Sequence, residues 1–217
     1  MDGFTIVNIL GAFLIITSLV IVLEKAPRKA AYGYIVQSLV LIGCFLALAV
    51  TTGSVELYEW SVTAFVTKVV VVPSVIIFLS RKIADAGSEL EPKLTATKAI
   101  VLVAVEVAIC FIAVQNIDLP AAVEVKPALA ISLAHFFIGL TCIITQRNVV
   151  KQIFGYCLME NGSHLTLALL ASNAPALVEI GVATDAFFAV IILSVLAYRL
   201  YGVAHTVNAD DLTELKG

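Results

Sequence analysis

The stretch that decides the fold runs from Arg147 to Leu193 and reads RNVVKQIFGYCLMENGSHLTLALLASNAPALVEIGVATDAFFAVIIL. It contains two apolar segments, each long enough to cross a lipid bilayer. Each segment carries one carboxylate near its middle, Glu160 in the first and Asp185 in the second. An acid at the bilayer centre is unfavourable by about 2.5–3.5 kcal/mol on insertion scales. Because two successive segments each hold one, we interpret the pair as part of a proton-transfer site.

The composition of the whole chain indicates an integral membrane protein. Of its 217 residues, 61% are hydrophobic and 13% are charged, and the mean hydropathy is +1.05. A helix needs about 20 apolar residues to cross the hydrocarbon core. Seven windows meet this requirement: 4–23, 32–51, 57–80, 97–116, 127–145, 151–171 and 177–201. The sequence therefore predicts an all-α, polytopic membrane protein with about seven transmembrane helices.

The chain reads as one integral membrane domain, residues 1–217, because the segments between the windows are too short to bury a second core. We divide it into a first three-helix unit (1–80), a connector loop with a fourth helix (81–126), a second three-helix unit (127–202) and a cytoplasmic tail (203–217). No part of the chain is left for a soluble catalytic domain.

The two three-helix units show traces of an internal repeat. A shift of 122 residues without a gap aligns Gly33-Tyr34 with Gly155-Tyr156, and Thr63-Ala64-Phe65 with Asp185-Ala186-Phe187. A single helix separates the two units, so both would cross the membrane in the same direction. The pattern therefore predicts a parallel repeat of the kind found in transport proteins.

Basic residues are distributed unequally between the two ends of the windows. One side of the predicted membrane holds only Lys126, Lys68 lies inside a span, and the other side holds eleven basic residues. These are Lys25, Arg28, Lys29, Arg81, Lys82, Lys93, Lys98, Arg147, Lys151, Arg199 and Lys216. The positive-inside rule places the N-terminus outside the cytoplasm and the C-terminus within it. The N-terminal sequence MDGF lacks the basic region of a cleaved signal peptide, so we expect the first span in the mature protein.

Lys68 lies about eleven residues into the third window, and Pro73 follows five residues later. A proline cannot donate a hydrogen bond to the carbonyl of Val69, so a free acceptor and a kink are expected beside the lysine. Lys68 and the kink would then share one polar pocket. The alternative is a lysine that snorkels to the interface, which we disfavour because either end of the span is far away.

The sixth window is the most polar. Glu160 and His164 are four residues apart, so both project from one face of a helix. Gly155 and Gly162 would allow a neighbouring helix to approach closely. The run Glu-Asn-Gly-Ser-His at 160–164 also weakens the helix, and a local bulge is expected there.

Five titratable residues share one depth in the predicted membrane. Near the middle of five different windows lie Lys68, Glu106, His135, Glu160 and Asp185. If they face one another, they form a row parallel to the membrane plane, where burial eases proton exchange near physiological pH. The competing interpretation is a set of buried ion pairs that only fixes helix packing. We favour proton transfer, with His164 beside Glu160 and with His135 as a secondary candidate, because a lone histidine is more often a hydrogen-bonded core residue.

The four cysteines indicate neither a disulfide framework nor a metal site. All of them lie inside apolar windows without a CxxC pair: Cys44, Cys110, Cys142 and Cys157. Buried free thiols are the expected state.

Several long motifs make the chain resemble a known family. The segments QRNVVKQIFGYCLMENGSHL, LVEIGVATDAFFAVI, DLTELKG, YGYIVQSLVL and WSVTAFVTKVVVVP are similar to those of hydrogenase-4 component E. That family comprises membrane subunits of group 4 nickel–iron hydrogenases of the formate hydrogenlyase type. The resemblance covers essentially the whole chain. Residues 127–202 also resemble subunit K of complex I and the related subunit of multisubunit cation/proton antiporters.

The resemblance implies roles for particular residues. In the subunit K relatives, the second and third helices each carry a glutamate used for proton translocation. Asp185 falls on the second of these positions, shortened by one methylene. Cys157 falls on the first position, and Glu160 lies three residues later, one turn along the same helix face.

The resemblance also implies a setting for the chain. It would be a non-catalytic subunit of an oxidoreductase complex in the bacterial inner membrane, with a nickel–iron centre and iron–sulfur clusters in a soluble hydrogenase arm. This chain itself would bind no cofactor and no nucleic acid. Its partners would be antiporter-like and quinone-channel-like membrane subunits, packed against small residues such as Gly139 and Gly181.

Other functions remain open from the sequence. One is a purely structural membrane scaffold between those partner subunits. A second is a subunit of a cation/proton antiporter. A third is a free-standing small transporter, which the predicted parallel repeat favours. The sequence leaves open whether H⁺ or Na⁺ is moved.

Overall fold

The structure is a computed structural model, and it describes residues 3–83, 92–117 and 120–211. The described residues form seven long helices: α1 (Gly3–Leu23), α2 (Pro27–Thr52), α3 (Glu56–Lys82), α4 (Ala96–Gln115), α5 (Lys126–Thr145), α6 (Val149–Leu170) and α7 (Ala176–Ala204). A short 3₁₀ helix, Pro120–Val125, precedes α5. No strand occurs within these ranges, so the predicted all-α fold is confirmed. Residues 84–91 of the predicted connector loop and 212–217 of the predicted tail lie outside the described residues.

The helices have the length and composition of membrane spans. Within the described residues, six of them are long and apolar enough to cross a membrane, and α6 is the long helix outside that group. α6 contains Lys151, Glu160, Asn161 and His164, and its neighbours enclose most of these polar side chains. The chain is therefore a multi-pass membrane protein whose most polar helix lies in the interior.

The helices pack as two facing rows of three. α1, α2 and α3 form one row, and α5, α6 and α7 form the other. Across the rows, α1 packs on α5, α2 on α6 and α3 on α7, whereas α4 packs outside on α5. Corresponding helices of the two predicted units thus lie side by side. The internal repeat itself stays a prediction.

α3 is irregular where the sequence predicts a kink. Its middle segment, Phe65–Val71, is a π-helix, with α-helical segments on either side. The Val72 amide donates to the carbonyl of Thr67, five residues earlier, and Pro73 follows directly. Proline at this point removes the next α-helical hydrogen bond, which favours the wider turn. The prediction of a bulge at 160–164 is wrong, because α6 is an uninterrupted α-helix.

Glycines bring α5 and α6 into backbone contact. A β-carbon on Gly139 would overlap the backbone nitrogen of Met159 and lie 2.6 Å from the carbonyl oxygen of Gly155. A β-carbon on Gly162 would lie 2.5 Å from the Phe136 nitrogen. The close approach predicted at Gly155 and Gly162 is confirmed. The prediction that Gly139 packs on a partner subunit is wrong, because this residue faces α6 of its own chain.

The residues after α7 fold back on the α5–α6 turn. The Val149 amide donates to the Val207 carbonyl at 3.0 Å, and the Ala209 amide donates to the Arg147 carbonyl at 2.7 Å. Asp210 lies 3.0 Å from the basic groups of both Lys93 and Arg147. The first part of the predicted tail is thus attached to the helical bundle.

One side chain from the α5–α6 turn and one from the first turn of α6 bind the end of α1. Gln146 Nε2 donates to the Val22 carbonyl at 2.9 Å, and Lys151 Nζ donates to the Ile21 carbonyl. The last carbonyls of a helix have no partner within it, and a cation there also interacts favourably with the helix dipole. Lys151 is 1% exposed and lies over the Phe154 ring at 5.8 Å. The sequence marks this lysine only as a basic residue at a span end.

Replacing Lys151 with methionine is expected to destabilise the chain by about 1.5–3 kcal/mol, because the buried Ile21 carbonyl loses its charged donor. The measurement is the midpoint of thermal unfolding of the purified chain in detergent. Lys29→Met is the matched control, since Lys29 is exposed and aligns with Lys151 in the predicted repeat. Equal midpoints for the two variants would contradict the prediction.

Candidate functional site

Lys68 is buried in the middle of α3. It is the thirteenth of 27 residues in this helix and is 1% exposed. Its Nζ forms an ion pair with Glu160 Oε2 and donates a hydrogen bond to Asn161 Oδ1 at 2.9 Å. Lys68 therefore does not snorkel. Its polar partners are the α6 side chains Glu160 and Asn161, whereas the sequence predicts a pocket shared with the backbone carbonyl freed at the kink. Lys68 lies within the π-helical segment of α3, and its side chain contacts α6.

His164 completes this group on the next turn of α6. Its Nδ1 lies 3.7 Å from the other carboxylate oxygen of Glu160, and its side chain is fully buried. The imidazole packs against the rings of Phe45 and Trp60, with centroid distances of 5.0 and 5.6 Å. We refer to Lys68, Glu160, Asn161 and His164 as the Lys68 cluster. It joins an amine, a carboxylate and an imidazole inside an apolar and aromatic shell.

His135 of α5 belongs to a second, separate group. Its Nδ1 lies 2.7 Å from Ser18 Oγ, and Gln37 Nε2 lies 3.1 Å from the His135 Nε2. Each ring nitrogen of His135 thus lies within hydrogen-bonding distance of a polar side chain. The Ser18 hydroxyl in turn donates to the Leu14 carbonyl at 2.6 Å. In this His135 cluster both ring nitrogens have a polar neighbour, which is the core role usual for a lone histidine.

The remaining two predicted residues lie elsewhere. Glu106 of α4 is half-buried and accepts a hydrogen bond from Thr141 of α5 through Oε1. Its Oε2 has no hydrogen-bond partner in the part of the chain that the structure describes. Asp185 is exposed on the outer surface of α7, between the buried Ala183 and Ala186. The structure thus brings together Lys68, Glu160 and His164 and places Glu106, His135 and Asp185 at other positions.

A polar face of α2 lies between the two clusters. Tyr34, Gln37 and Ser38 are buried and project from one side of the helix. Gln37 belongs to the His135 cluster, whereas Tyr34 lies close to Ser38 and to Asn161 of the Lys68 cluster. Three polar atoms here have no hydrogen-bond partner among the described residues, namely Gln37 Oε1, Ser38 Oγ and Asn161 Nδ2. Polar side chains therefore continue through the interior from one cluster to the other.

Sequence reasoning found the titratable residues but missed Ser18 and Gln37 as partners of His135 and Thr141 as the partner of Glu106. The available signal was a hydrogen-bonding side chain at mid-depth in an apolar helix. All four cysteines are buried and free, as predicted. Within the described ranges, no three His, Cys, Asp or Glu side chains converge as metal ligands do.

Comparisons with known proteins agree with this architecture. The family model of NADH-ubiquinone/plastoquinone oxidoreductase chain 4L matches residues 127–217, which include α5, α6 and α7. Hydrogenase-4 component E of Escherichia coli strain K12 is 46% identical over 217 residues, which cover 100% of both chains. The protein of the same name from Shigella flexneri shows the same identity and coverage.

A more distant similarity covers part of the chain. An uncharacterized protein of Mycobacterium tuberculosis is 32% identical over 103 residues, which cover 48% of this chain and 46% of that protein. No solved structure matches the chain. The full-length identity, the membrane-spanning helices and the chain 4L match together show that the chain belongs to the hydrogenase-4 component E family.

Proposed function

We propose that this chain is a non-catalytic membrane-arm subunit of a hydrogenase of the formate hydrogenlyase type, and that the Lys68 cluster conducts protons. The hydrogenase chemistry, with its nickel–iron centre and iron–sulfur clusters, belongs in this proposal to partner subunits. The chain lies in the bacterial inner membrane with its N-terminus in the periplasm and its C-terminus in the cytoplasm. Antiporter-like and quinone-channel-like subunits are its membrane neighbours.

The observation that carries the proposal is the Lys68–Glu160 ion pair at the middle of two helices. Glu160 is the twelfth of 22 residues in α6, so both members are far from either helix end. A buried ion pair gives little net stability compared with apolar residues of the same volume. Packing alone therefore does not require it. A pair of this kind can instead exchange a proton and become neutral, which transfers charge without moving the helices.

The neighbours of the pair provide a route for the proton. His164 is near enough to Glu160 to exchange a proton with it through a small movement. On the other side, Asn161, Tyr34 and Ser38 continue the polar path toward the His135 cluster. The aromatic shell of Phe45 and Trp60 excludes bulk water from the imidazole. We propose that redox-driven changes in the partner subunits shift the proton along this path.

The test is proton uptake by inverted membrane vesicles that contain the intact complex, normalised to the hydrogen formed. Glu160→Gln keeps the shape of the side chain but cannot carry a negative charge. We expect this variant to lower the number of protons taken up per hydrogen molecule to less than half that of the wild type. Addition of a protonophore, which abolishes net proton uptake, gives the baseline of the assay.

Glu59→Gln is the matched control, because Glu59 is an exposed glutamate in the first turn of α3. It should leave the ratio unchanged. The amount of assembled complex is measured alongside. An unchanged ratio in an assembled Glu160→Gln complex would show that the cluster serves packing only.

A further inference from the structure

Asp185 is exposed at a depth where lipid is a poor solvent for a carboxylate. It lies nine residues after the start of α7 at Ala176, which corresponds to about 14 Å along the helix axis. Within the described residues, no cation forms an ion pair with it. A carboxylate that faces hydrocarbon at this depth is destabilised by about 2.5–3.5 kcal/mol on insertion scales. Lipid alone is therefore an unfavourable neighbour for this surface.

The residues around Asp185 form a surface suited to a helix. We define the Asp185 face by its exposed members, Leu177, Gly181, Thr184, Asp185, Phe188 and Ile192. The side chains of Leu177, Phe188 and Ile192 are 77%, 54% and 63% exposed. Gly181 has no atom within 4 Å of the position of a β-carbon, so it leaves an open notch one turn before the acid. Small residues of this kind let another helix approach closely inside a membrane.

The negative charge of Asp185 indicates which kind of molecule covers the Asp185 face. The other mid-depth acid of this half of the chain, Glu160, has its cation within the chain, whereas no cation among the described residues pairs with Asp185. A second copy of the chain bound about a two-fold axis would bring two Asp185 carboxylates together, and like charges oppose such contact. Lipid head groups lie at the membrane surface and do not reach this depth. A basic side chain from a different subunit satisfies both the charge and the depth.

We propose that the Asp185 face docks a transmembrane helix of another subunit of the complex, and that this helix places a lysine, arginine or histidine against Asp185. Phe188 and Ile192 pack on the apolar part of that helix, and Gly181 receives its backbone. The inference rests on the proposed function only in that the chain works inside a multisubunit complex. It assigns the face and the chemistry of the contact, and it is independent of whether the Lys68 cluster conducts protons.

The test measures which membrane subunits remain with the chain. The intact complex is purified in mild detergent through a tag on this chain, and each subunit is quantified per tagged chain by mass spectrometry. Asp185→Lys is expected to lower the retention of one membrane subunit about tenfold or more, because two cations then face each other. Gly181→Leu is expected to do the same by filling the notch. Gly202→Leu is the matched control, since Gly202 lies on α7 with equally open space but ten residues beyond Ile192, about 15 Å farther along the helix axis.

A photo-crosslink identifies the occupant. A benzophenone side chain at position 188 should link to a membrane-spanning peptide of the lost subunit, and that peptide should contain a basic residue. Replacing this residue with aspartate should restore retention in the Asp185→Lys complex. Adducts with lipid only, adducts with a second copy, a linked segment without a basic residue, or full retention of every subunit in both variants would each overturn the proposal. If Asp185→Lys prevents membrane insertion, Gly181→Leu and the crosslink decide the question.

The two proposals fail in different ways. Loss of proton uptake in Glu160→Gln with full subunit retention in both Asp185→Lys and Gly181→Leu contradicts only the docking inference. The opposite pair of results contradicts only the role of the Lys68 cluster.

Discussion

Replacing Lys68 with methionine is expected to lower the free energy of unfolding by about 3–5 kcal/mol, because it leaves Glu160 as an uncompensated charge in the interior. The Glu160 side chain is only 10% exposed, and the ion pair joins α3 to α6. Water cannot solvate the carboxylate without opening this interface. The measurement is thermal unfolding of the purified chain in detergent, together with its yield from membranes. Lys98→Met serves as the control, since Lys98 is exposed in α4.

A second substitution separates the charge from the packing. Lys68→Met combined with Glu160→Met removes both charges and keeps apolar volume, so the double variant is expected to be more stable than Lys68→Met alone. Equal or lower stability of the double variant would mean that the lysine acts mainly through its packing and its hydrogen bond to Asn161. The prediction would then be wrong.

Gly139→Ala is expected to destabilise the chain by about 1–3 kcal/mol, which is the usual range for overpacking. The new β-carbon would overlap the backbone of Met159, and a backbone atom cannot turn away as a side chain can. α5 and α6 would have to move apart along their whole contact. This contact is the most extensive between any two helices in the described part of the chain. The change is measured by the same unfolding assay.

Gly181→Ala is expected to have the opposite effect and to stabilise the isolated chain. No atom lies within 4 Å of the added carbon, and alanine is favoured over glycine inside a helix by about 0.5–1 kcal/mol. A chain with Gly139→Ala that unfolds at the wild-type temperature would show that α5 and α6 are not in backbone contact.

The sequence located the spans and the depth of their charges but not the direction in which each charge points. Depth follows from counting residues along an apolar run, so Lys68 and Glu160 could be expected at the same level. The direction in which a side chain points can be predicted only where the faces of a helix differ in polarity, and α7 is apolar on nearly all of its faces. Nothing in its sequence distinguishes the face of Asp185 from that of Ala186. A lipid-facing surface and a buried surface have similar compositions in a membrane protein. For the same reason, the sequence predicts that Gly139 packs on a partner subunit and not on α6.

The sequence predicts a kink at Pro73 and a bulge at 160–164. The structure has a π-helical segment just before Pro73 and a regular α-helix at 160–164. Pro73 gives a direct physical reason for an altered turn, because its missing amide changes the hydrogen bonds of the preceding residues. The polar run at 160–164 gives only a weaker local preference. Packing on α5 and the ion pair to Lys68 hold this run in a regular helix. Tertiary contacts between residues far apart in sequence therefore determine the helix geometry at 160–164.

The separation of Lys68 from Glu160 along the chain affects how the protein is made. The two residues are 92 positions apart, and α4 and α5 lie between them in the chain. At about 5–20 residues per second, the ribosome needs roughly 5–20 s to complete that interval. During this time the third helix has left the ribosome with an unpaired lysine at its centre. We expect the insertion machinery to retain this helix until the sixth arrives, so that the pair enters the lipid as one neutral unit.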